Sequence, residues 1–128
     1  MRSILDLPRL DPDPEAPFPS TRDALDSPNG LLAWGGDLDP RRLLRAYRAG
    51  IFPWYSEEQP VLWWSPVPRC VIFPDQVYLS RRTRRRYNSG VYRLSADTAF
   101  EAVVDACAEP RSYDTGTWLT PDMRVAYA

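Results

Sequence analysis

The sequence contains no histidine, and all 16 of its basic residues are arginine. Without histidine, the chain cannot form a Ser-His-Asp triad, a Cys-His dyad or a histidine metal site. The two cysteines, Cys70 and Cys107, lie far apart and form no Cys-x-x-Cys pair. We therefore expect two small buried hydrophobic residues rather than a disulfide or a metal site.

Long apolar runs are also missing. The first residues, "MRSILDLPRLDPDPEAPFPS", are interrupted by proline and acidic residues too early for a signal peptide. No segment is apolar over the length that a bilayer span requires, so we expect a cytoplasmic protein with no membrane partner. A content of 44% hydrophobic and 26% charged residues suits one globular unit of 128 residues with an ordinary core.

The net charge of -1 hides an uneven distribution of charge. Acidic residues are frequent in the first 40 positions, whereas "SRRTRRRYNSG" at 80–90 has five arginines and no acid: Arg81, Arg82, Arg84, Arg85 and Arg86. Most runs of this kind are solvated turns. A local basic face is also what phosphate binding requires, so both interpretations stay open.

Local signals outline the first half of the chain. Residues 1–19 predict an irregular lead-in, and "LLAW" predicts a buried strand. The next helix is signalled by Asp39 as N-cap, by a proline at its first position and by Gly50 at its end. Its inner face is expected to carry Leu43, Leu44 and Tyr47.

The second half mixes strand and helix signals. The runs "VLWW", "RCVIF", "VYLS" and "VYRL" predict short strands, and Ser80 predicts the cap of a short helix that carries the arginines. "SADTAFEAVVDACAEP" predicts a helix whose inner face carries Phe100, Val103, Val104 and Cys107. Thr120 and the proline after it announce a last helix, which reads as interrupted because no stop signal follows it.

An aromatic stretch raises the question of function. "GIFPWYSEEQPVLWWSP", residues 50–66, holds three tryptophans, a phenylalanine and a tyrosine among three prolines. Proline excludes a continuous helix here, so the rings belong either to an irregular core or to a binding surface.

Several motifs together resemble the leucyl/phenylalanyl-tRNA-protein transferase family. They are "PNGLLAWGGDLDPRRLLRAYRAGIFPWYS", "PVLWWSPVPR", "LSRRTRRR", "AFEAVVDACAEPR" and "GTWLTPDM", and they run in order from about residue 17 to the last residue. The resemblance implies transfer of leucine or phenylalanine from charged tRNA to the N-terminal arginine or lysine of proteins. This N-degron tagging takes place in the cytoplasm, marks proteins for degradation, and involves no DNA and no cofactor.

The resemblance also implies a fold and a set of site residues. The fold is α+β, with a small α/β domain at 1–66 followed at 67–128 by the incomplete start of an acetyltransferase-like (GNAT-like) domain.

Trp54 and Trp118 fall on the positions that hold the terminal adenosine of tRNA in the family, and Tyr47 falls near the same pocket. The acceptor-stem positions are Arg81, Arg84 and Arg85, and Arg82 and Arg86 extend that basic run beyond the family pattern. Trp63 and Trp64 are expected to be structural.

The chain departs from the family pattern in two ways. Trp34, Val67 and Tyr78 replace other residue types in the motifs. More seriously, the resemblance covers only the first half of family members, and the groups that select the amino acid and assist attack lie in the other half. We therefore assign no catalytic residue, interpret Asp114 as a turn former, and expect a truncated transferase that is inactive alone. The alternatives are a non-catalytic module that binds tRNA 3' ends and a protein-interaction domain with no RNA role.

Overall fold

A computed structural model of the chain describes residues 6–110 and 117–128. Within these two ranges the fold is mixed α/β, with four α-helices and one small antiparallel sheet. The strands are β1 (Leu31–Trp34), β2 (Phe52–Pro53) and β3 (Leu62–Trp64). The helices are α1 (Pro40–Arg48), α2 (Arg81–Asn88), α3 (Phe100–Ala108) and α4 (Pro121–Tyr127).

The sheet has β3 in its centre, with β1 and β2 antiparallel to it on either side. Trp63 on β3 lies opposite Ala33 and Pro53, is fully buried, and donates its indole N–H to the carbonyl of Gly35 at 2.9 Å. Pro53 is compatible with this sheet because it lies on an edge strand. The prediction of a strand at "LLAW" is thus confirmed, as is the structural role of Trp63.

Helix α1 begins where the sequence predicts, but it buries a different face. The Asp39 side chain accepts a hydrogen bond from the backbone N–H of Arg41, and Gly50 follows the helix with a φ of +72°. The buried residues are Arg42, Leu43 and Ala46, whereas Leu44 and Tyr47 are exposed, so the predicted inner face is wrong for those two residues.

Arg42 explains the change of face. Its guanidinium is 1% exposed and donates to the carboxylate of Asp37 at 3.0 Å and to the carbonyls of Asp11 and Pro12 at 2.9 and 3.1 Å. A buried arginine is acceptable when its donors are satisfied in this way. Arg42 therefore attaches α1 to the lead-in, a role that a hydrophobic pattern cannot reveal.

The described part of the lead-in, residues 6–19, is attached to the sheet. Arg9 forms a parallel bridge with Trp34, and Leu10 is buried in the main hydrophobic core. The Trp34 indole donates to the carbonyl of Leu7 at 3.1 Å, and the Arg9 guanidinium lies 5.4 Å from the centre of the Trp34 ring. Trp34, which departs from the family pattern, thus holds the segment before it.

Three of the predicted downstream strands are absent from the described residues. "RCVIF", "VYLS" and "VYRL" lie in loops, with a 3-10 turn at Pro74–Gln76 between the first two, and of "VLWW" only Leu62–Trp64 is a strand. Their apolar side chains, such as Ile72 and Tyr78, are largely exposed. A strand requires a paired neighbour, and no described element pairs with these segments, so β propensity alone was insufficient.

Helix α3 forms as predicted, but its inner face is also different. Phe100 and Val103 are exposed and Cys107 is an exposed free thiol, whereas Val104 and Ala108 are partly buried. The prediction that Cys107 points into a core is therefore wrong. The reason is that α3 turns toward α4, where an ion pair joins Asp105 of α3 to Arg124.

Cys70 is likewise an exposed free thiol, so its predicted burial is also wrong. It lies in the loop after β3, which follows the surface of the molecule between the sheet and α2.

Helix α4 brings the last described segment to the sheet. The Thr120 hydroxyl accepts from the backbone N–H of Met123, which confirms the predicted helix start. Met123 is fully buried and forms a second hydrophobic cluster with Tyr55 and Leu119. Residues that are distant in sequence thereby meet next to Trp54 and Trp118.

Candidate nucleic-acid interface

Trp54 and Trp118 lie side by side on the surface. Their ring centres are 6.4 Å apart, their planes are inclined by 36°, and the two residues are 56% and 45% exposed. Trp54 follows β2, and Trp118 precedes α4. The two predicted adenosine-binding residues, which are 64 positions apart in the sequence, thus form one exposed aromatic pair.

The backbone around Trp54 is held firmly. The flanking residues Pro53 and Tyr55 are buried. The Trp54 N–H donates to the carbonyl of Leu62 at 2.9 Å, and its own carbonyl accepts from the indole N–H of Trp64 at 2.7 Å. Trp54 therefore presents an exposed ring from a backbone whose polar groups are both bonded.

Trp118 is held in place by the buried residues that follow it. Leu119 and Thr120, which follow it, are buried, and the Thr120 hydroxyl oxygen lies 3.4 Å from that of Tyr55. Because Tyr55 directly follows Trp54, the same buried contact fixes the neighbours of both rings.

The geometry of the pair suits the uptake of one flat group. Carbon atoms in optimal contact are about 3.5–4.0 Å apart, so a ring between two others requires about 7 Å. The observed 6.4 Å and the 36° tilt fall slightly short of this requirement. A base would enter if the rings became parallel and moved apart by less than about 1–2 Å.

Tyr47 forms a second aromatic pair, with Tyr127 of α4. Their hydroxyl groups are hydrogen-bonded, and their rings meet edge to face with centres 6.3 Å apart. Burial, and then the hydrogen bond to Tyr47, raise the pKa of the Tyr127 phenol above its ordinary value. Sequence reasoning missed Tyr127, although its i+4 spacing from the apolar Met123 on one helix could have indicated it.

The arginines of α2 divide into two faces. Arg81, Arg84 and Arg85 lie at i, i+3 and i+4 and line one shallow depression together with Asn88 and Ser89. All five arginines of α2 are exposed, and none forms an ion pair with a carboxylate of residues 6–110 or 117–128. Among the described residues, the positive charge of α2 is therefore not neutralised by an ion pair.

The predicted residues thus form separate groups. Over the described residues, the ring contact of Trp54 is with Trp118 and that of Tyr47 is with Tyr127, and α2 makes no hydrogen bond to either pair. Asp114 lies outside the described residues.

Two further features of the described part of the chain concern metal ligands and membrane-spanning helices. That part has no cluster of three or more histidine, cysteine, aspartate or glutamate residues that could hold a metal ion, and none of its helices is long and apolar enough to cross a bilayer. The pKa of Asp39 is lowered to about 2, chiefly by its side-chain hydrogen bond with Arg41. Asp39 is therefore an ionised helix cap and a poor proton acceptor.

Comparisons with known proteins agree on one family. The model of the leucyl/phenylalanyl-tRNA protein transferase N-terminal domain matches residues 36–67, and the leucyl/phenylalanyl-tRNA protein transferase model matches residues 71–128. These two matches cover most of the chain and include all six predicted site residues.

Curated proteins named leucyl/phenylalanyl-tRNA-protein transferase are similar throughout most of the chain. The protein of Alkalilimnicola ehrlichii is 55% identical over 90% of this chain and 45% of its own length. That of Xylella fastidiosa is 57% identical over 92% and 49%, and that of Stutzerimonas stutzeri is 58% identical over 86% and 49%. The chain spans about half the length of the curated relatives it matches.

Proposed function

Because the chain belongs to the leucyl/phenylalanyl-tRNA-protein transferase family, we propose that its 128 residues provide the tRNA-binding part of an aminoacyl-tRNA-protein transferase. Trp54 and Trp118 stack on the terminal adenosine, and Tyr47 lies at the edge of that site. Arg81, Arg84 and Arg85 bind phosphates of the acceptor stem. The substrates are leucyl- or phenylalanyl-tRNA and cytoplasmic proteins that begin with arginine or lysine, which are thereby tagged as N-degrons.

The Trp54–Trp118 pair is the observation that supports this proposal most strongly. Large aromatic residues are usually well buried, yet both of these are about half exposed, and the backbone of Trp54 is hydrogen-bonded at its N–H and at its carbonyl. The unpaired bases of a tRNA 3' end present flat faces, and aromatic stacking on such bases contributes about 1–3 kcal/mol per base. An exposed pair of neighbouring indoles is suited to that ligand.

The basic face of α2 supports the second part of the proposal. Arginine binds phosphate through planar, bidentate hydrogen bonds. The three arginines that share a face are exposed and lack carboxylate partners among the described residues, so their donors are available to an anionic ligand.

The reaction requires positioning more than activation. In the transfer, the amine of the acceptor protein attacks the carbonyl of the aminoacyl ester, an amide forms, and the 3' oxygen of the tRNA leaves with a proton. The ester is already activated, so holding it next to the amine is the main way to lower the barrier to this transfer. We assign no general base among the described residues, and we expect this chain to bind tRNA without completing transfer.

The proposal extends to the fold. Residues 1–66 form an N-terminal domain, and residues 67–128 form the start of an acetyltransferase-like domain. On either side of α2, the exposed Ile72, Tyr78 and Leu94 are compatible with strands that form only when they are paired with a neighbour.

An alternative is a non-catalytic module that binds tRNA 3' ends. The retained tryptophan pair and basic helix favour it, since both concern binding and neither concerns catalysis. A protein-interaction domain without an RNA role is the remaining alternative, and it predicts that substitution of Trp54 changes stability alone.

One experiment separates these functions. Labelled leucine is offered on charged tRNA to a peptide that begins with arginine, and tRNA binding is measured in parallel at two salt concentrations. We expect salt-sensitive binding that Trp54→Ala weakens, without transfer. Transfer by the chain itself would show that a complete catalytic site is present, and absence of binding would refute the proposed RNA role.

A further inference from the structure

We propose that Trp64 is a positioning residue, which fixes the orientation of Trp54 through a hydrogen bond to the Trp54 carbonyl. This inference rests on the proposed function, because it concerns how the adenosine-binding ring is held. It also gives a specific role to one of two adjacent tryptophans that the sequence alone marks only as structural.

The two tryptophans of β3 serve different purposes. Trp63 is fully buried and donates to the carbonyl of Gly35. Trp64 is partly exposed, pairs in register with Leu31 and Phe52, and reaches along the sheet to the backbone of Trp54. Alternation along a strand places these neighbours on opposite faces of the sheet, so only Trp64 can reach the binding surface.

The hydrogen bond from Trp64 completes the fixation of Trp54. At 2.7 Å it lies at the short end of the N–H···O range. It acts at the point where β2 has already ended, and the exposed turn at 56–60 begins two residues later. Without it, the Trp54 carbonyl would lose its partner, and only the N–H of Trp54 would remain bonded to β3.

Stacking depends on this orientation. The two indole rings must become parallel around a base, and a ring on a mobile backbone must first be ordered, which reduces affinity. A phenylalanine at position 64 could fill most of the same space and suits a strand, but it has no donor. The indole N–H is therefore the part of Trp64 on which the inference depends.

The test uses two short RNAs, one ending in CCA and one ending in CC, and measures the ratio of their dissociation constants. This ratio isolates the terminal adenosine, because a loss of folded protein weakens both RNAs equally. We expect Trp64→Phe to reduce the preference for CCA by about threefold to tenfold, which corresponds to one lost hydrogen bond.

Trp63→Phe is the matched control, since it removes an indole N–H from the adjacent residue without touching Trp54. We expect it to lower stability in urea while the preference for CCA stays unchanged. Trp64→Tyr retains a hydroxyl donor near the ring edge, and partial recovery of the preference in that variant would support positioning through the hydrogen bond. It also provides a second test if Trp64→Phe folds poorly.

A double-mutant comparison separates this inference from the function on which it rests. Trp54→Ala should abolish the preference for CCA, and Trp64→Phe should then have no further effect on it. If Trp54→Ala abolishes the preference but Trp64→Phe and Trp64→Tyr both leave it intact, the positioning role is wrong and the stacking site stands. If Trp54→Ala leaves the preference intact, the proposed adenosine site itself is wrong.

Discussion

The two faces of α2 allow a sharp test of phosphate binding. Arg81 and Arg85 lie at i and i+4 on the proposed RNA face, and Arg82 and Arg86 have the same spacing about 100° further around the helix. Replacing either pair with glutamine removes two charges and changes helix propensity little. The two double variants therefore differ in the position of the charge and not in its amount.

The expected size of the effect follows from the number of contacts. Each phosphate neutralised on a duplex contributes about 0.9 to the slope of log affinity against log salt. Loss of Arg81 and Arg85 should therefore reduce the slope by about 1.8, and further loss of Arg84 should reduce it by about 2.7 in total. Over a fourfold change in salt, two contacts correspond to about a 12-fold change in affinity and three to about 40-fold.

The assay is binding of an acceptor-stem RNA hairpin at several salt concentrations between 50 and 200 mM, followed by fluorescence anisotropy. The control pair, Arg82 and Arg86, should leave the slope close to that of the unaltered chain. Equal slopes in the two double variants would refute the assignment of one face, because they would show a response to total charge alone. An unchanged slope in the triple variant would exclude α2 from the RNA interface.

The remaining predictions concern the aromatic pairs and the core. Trp54→Ala and Trp118→Ala should each weaken binding of a CCA-ended RNA by about 1–3 kcal/mol. The double variant should lose less binding free energy than the sum of the two single losses, because both rings contact one base, and additive losses would argue against a shared site. Arg42→Met should lower the free energy of unfolding in urea by about 2–4 kcal/mol, since it keeps the stem but removes the buried hydrogen bonds, and an unchanged value would contradict that role. The raised pKa of Tyr127 means that the fold favours the neutral phenol, so the stability that Tyr127 contributes is complete below the unfolded pKa of about 10 and is lost as pH rises through the folded pKa. The loss of unfolding free energy at alkaline pH should therefore be smaller in Tyr127→Phe, and an equal loss in that variant would refute this role.

Helix starts could be predicted from the sequence because capping is local. Asp39, Ser80 and Thr120 each accept a backbone N–H within the first turn of the helix that follows, as the sequence indicates. A cap and the donors that it satisfies lie within three residues of each other. Neighbouring residues therefore contain all the information that the prediction requires.

Buried faces and strands were predicted less well because they depend on distant partners. Apolar periodicity places Leu44 on the buried face of α1, but that face instead carries Arg42, whose guanidinium donates to backbone carbonyls of the lead-in, and Leu44 is exposed. Apolar periodicity cannot distinguish a buried arginine from a solvated one. Likewise, Ile72 and Tyr78 have strand-forming side chains, yet a strand requires a neighbour with which to pair, and that neighbour is not specified locally.

The candidate site itself depended on the family motifs. An exposed tryptophan cannot be distinguished from a buried one by its local sequence, so Trp54 and Trp118 were indicated by the resemblance and not by composition. Their contact arises from the packing of Tyr55 against Leu119 and Met123, which are more than 60 residues away. Only a three-dimensional structure reveals that packing, and the same holds for the pairing of Tyr127.

The two aromatic pairs share an organisation that bears on how the site is built. Tyr47 and Trp54 lie in the segment that matches the N-terminal family model, whereas Trp118 and Tyr127 lie in the segment that matches the second model. Each pair therefore joins one segment to the other. Because neither segment holds a complete pair, both pairs require that the two segments pack together. A change that separates the segments should therefore weaken the proposed binding of a CCA-ended RNA before it removes the secondary structure of either segment.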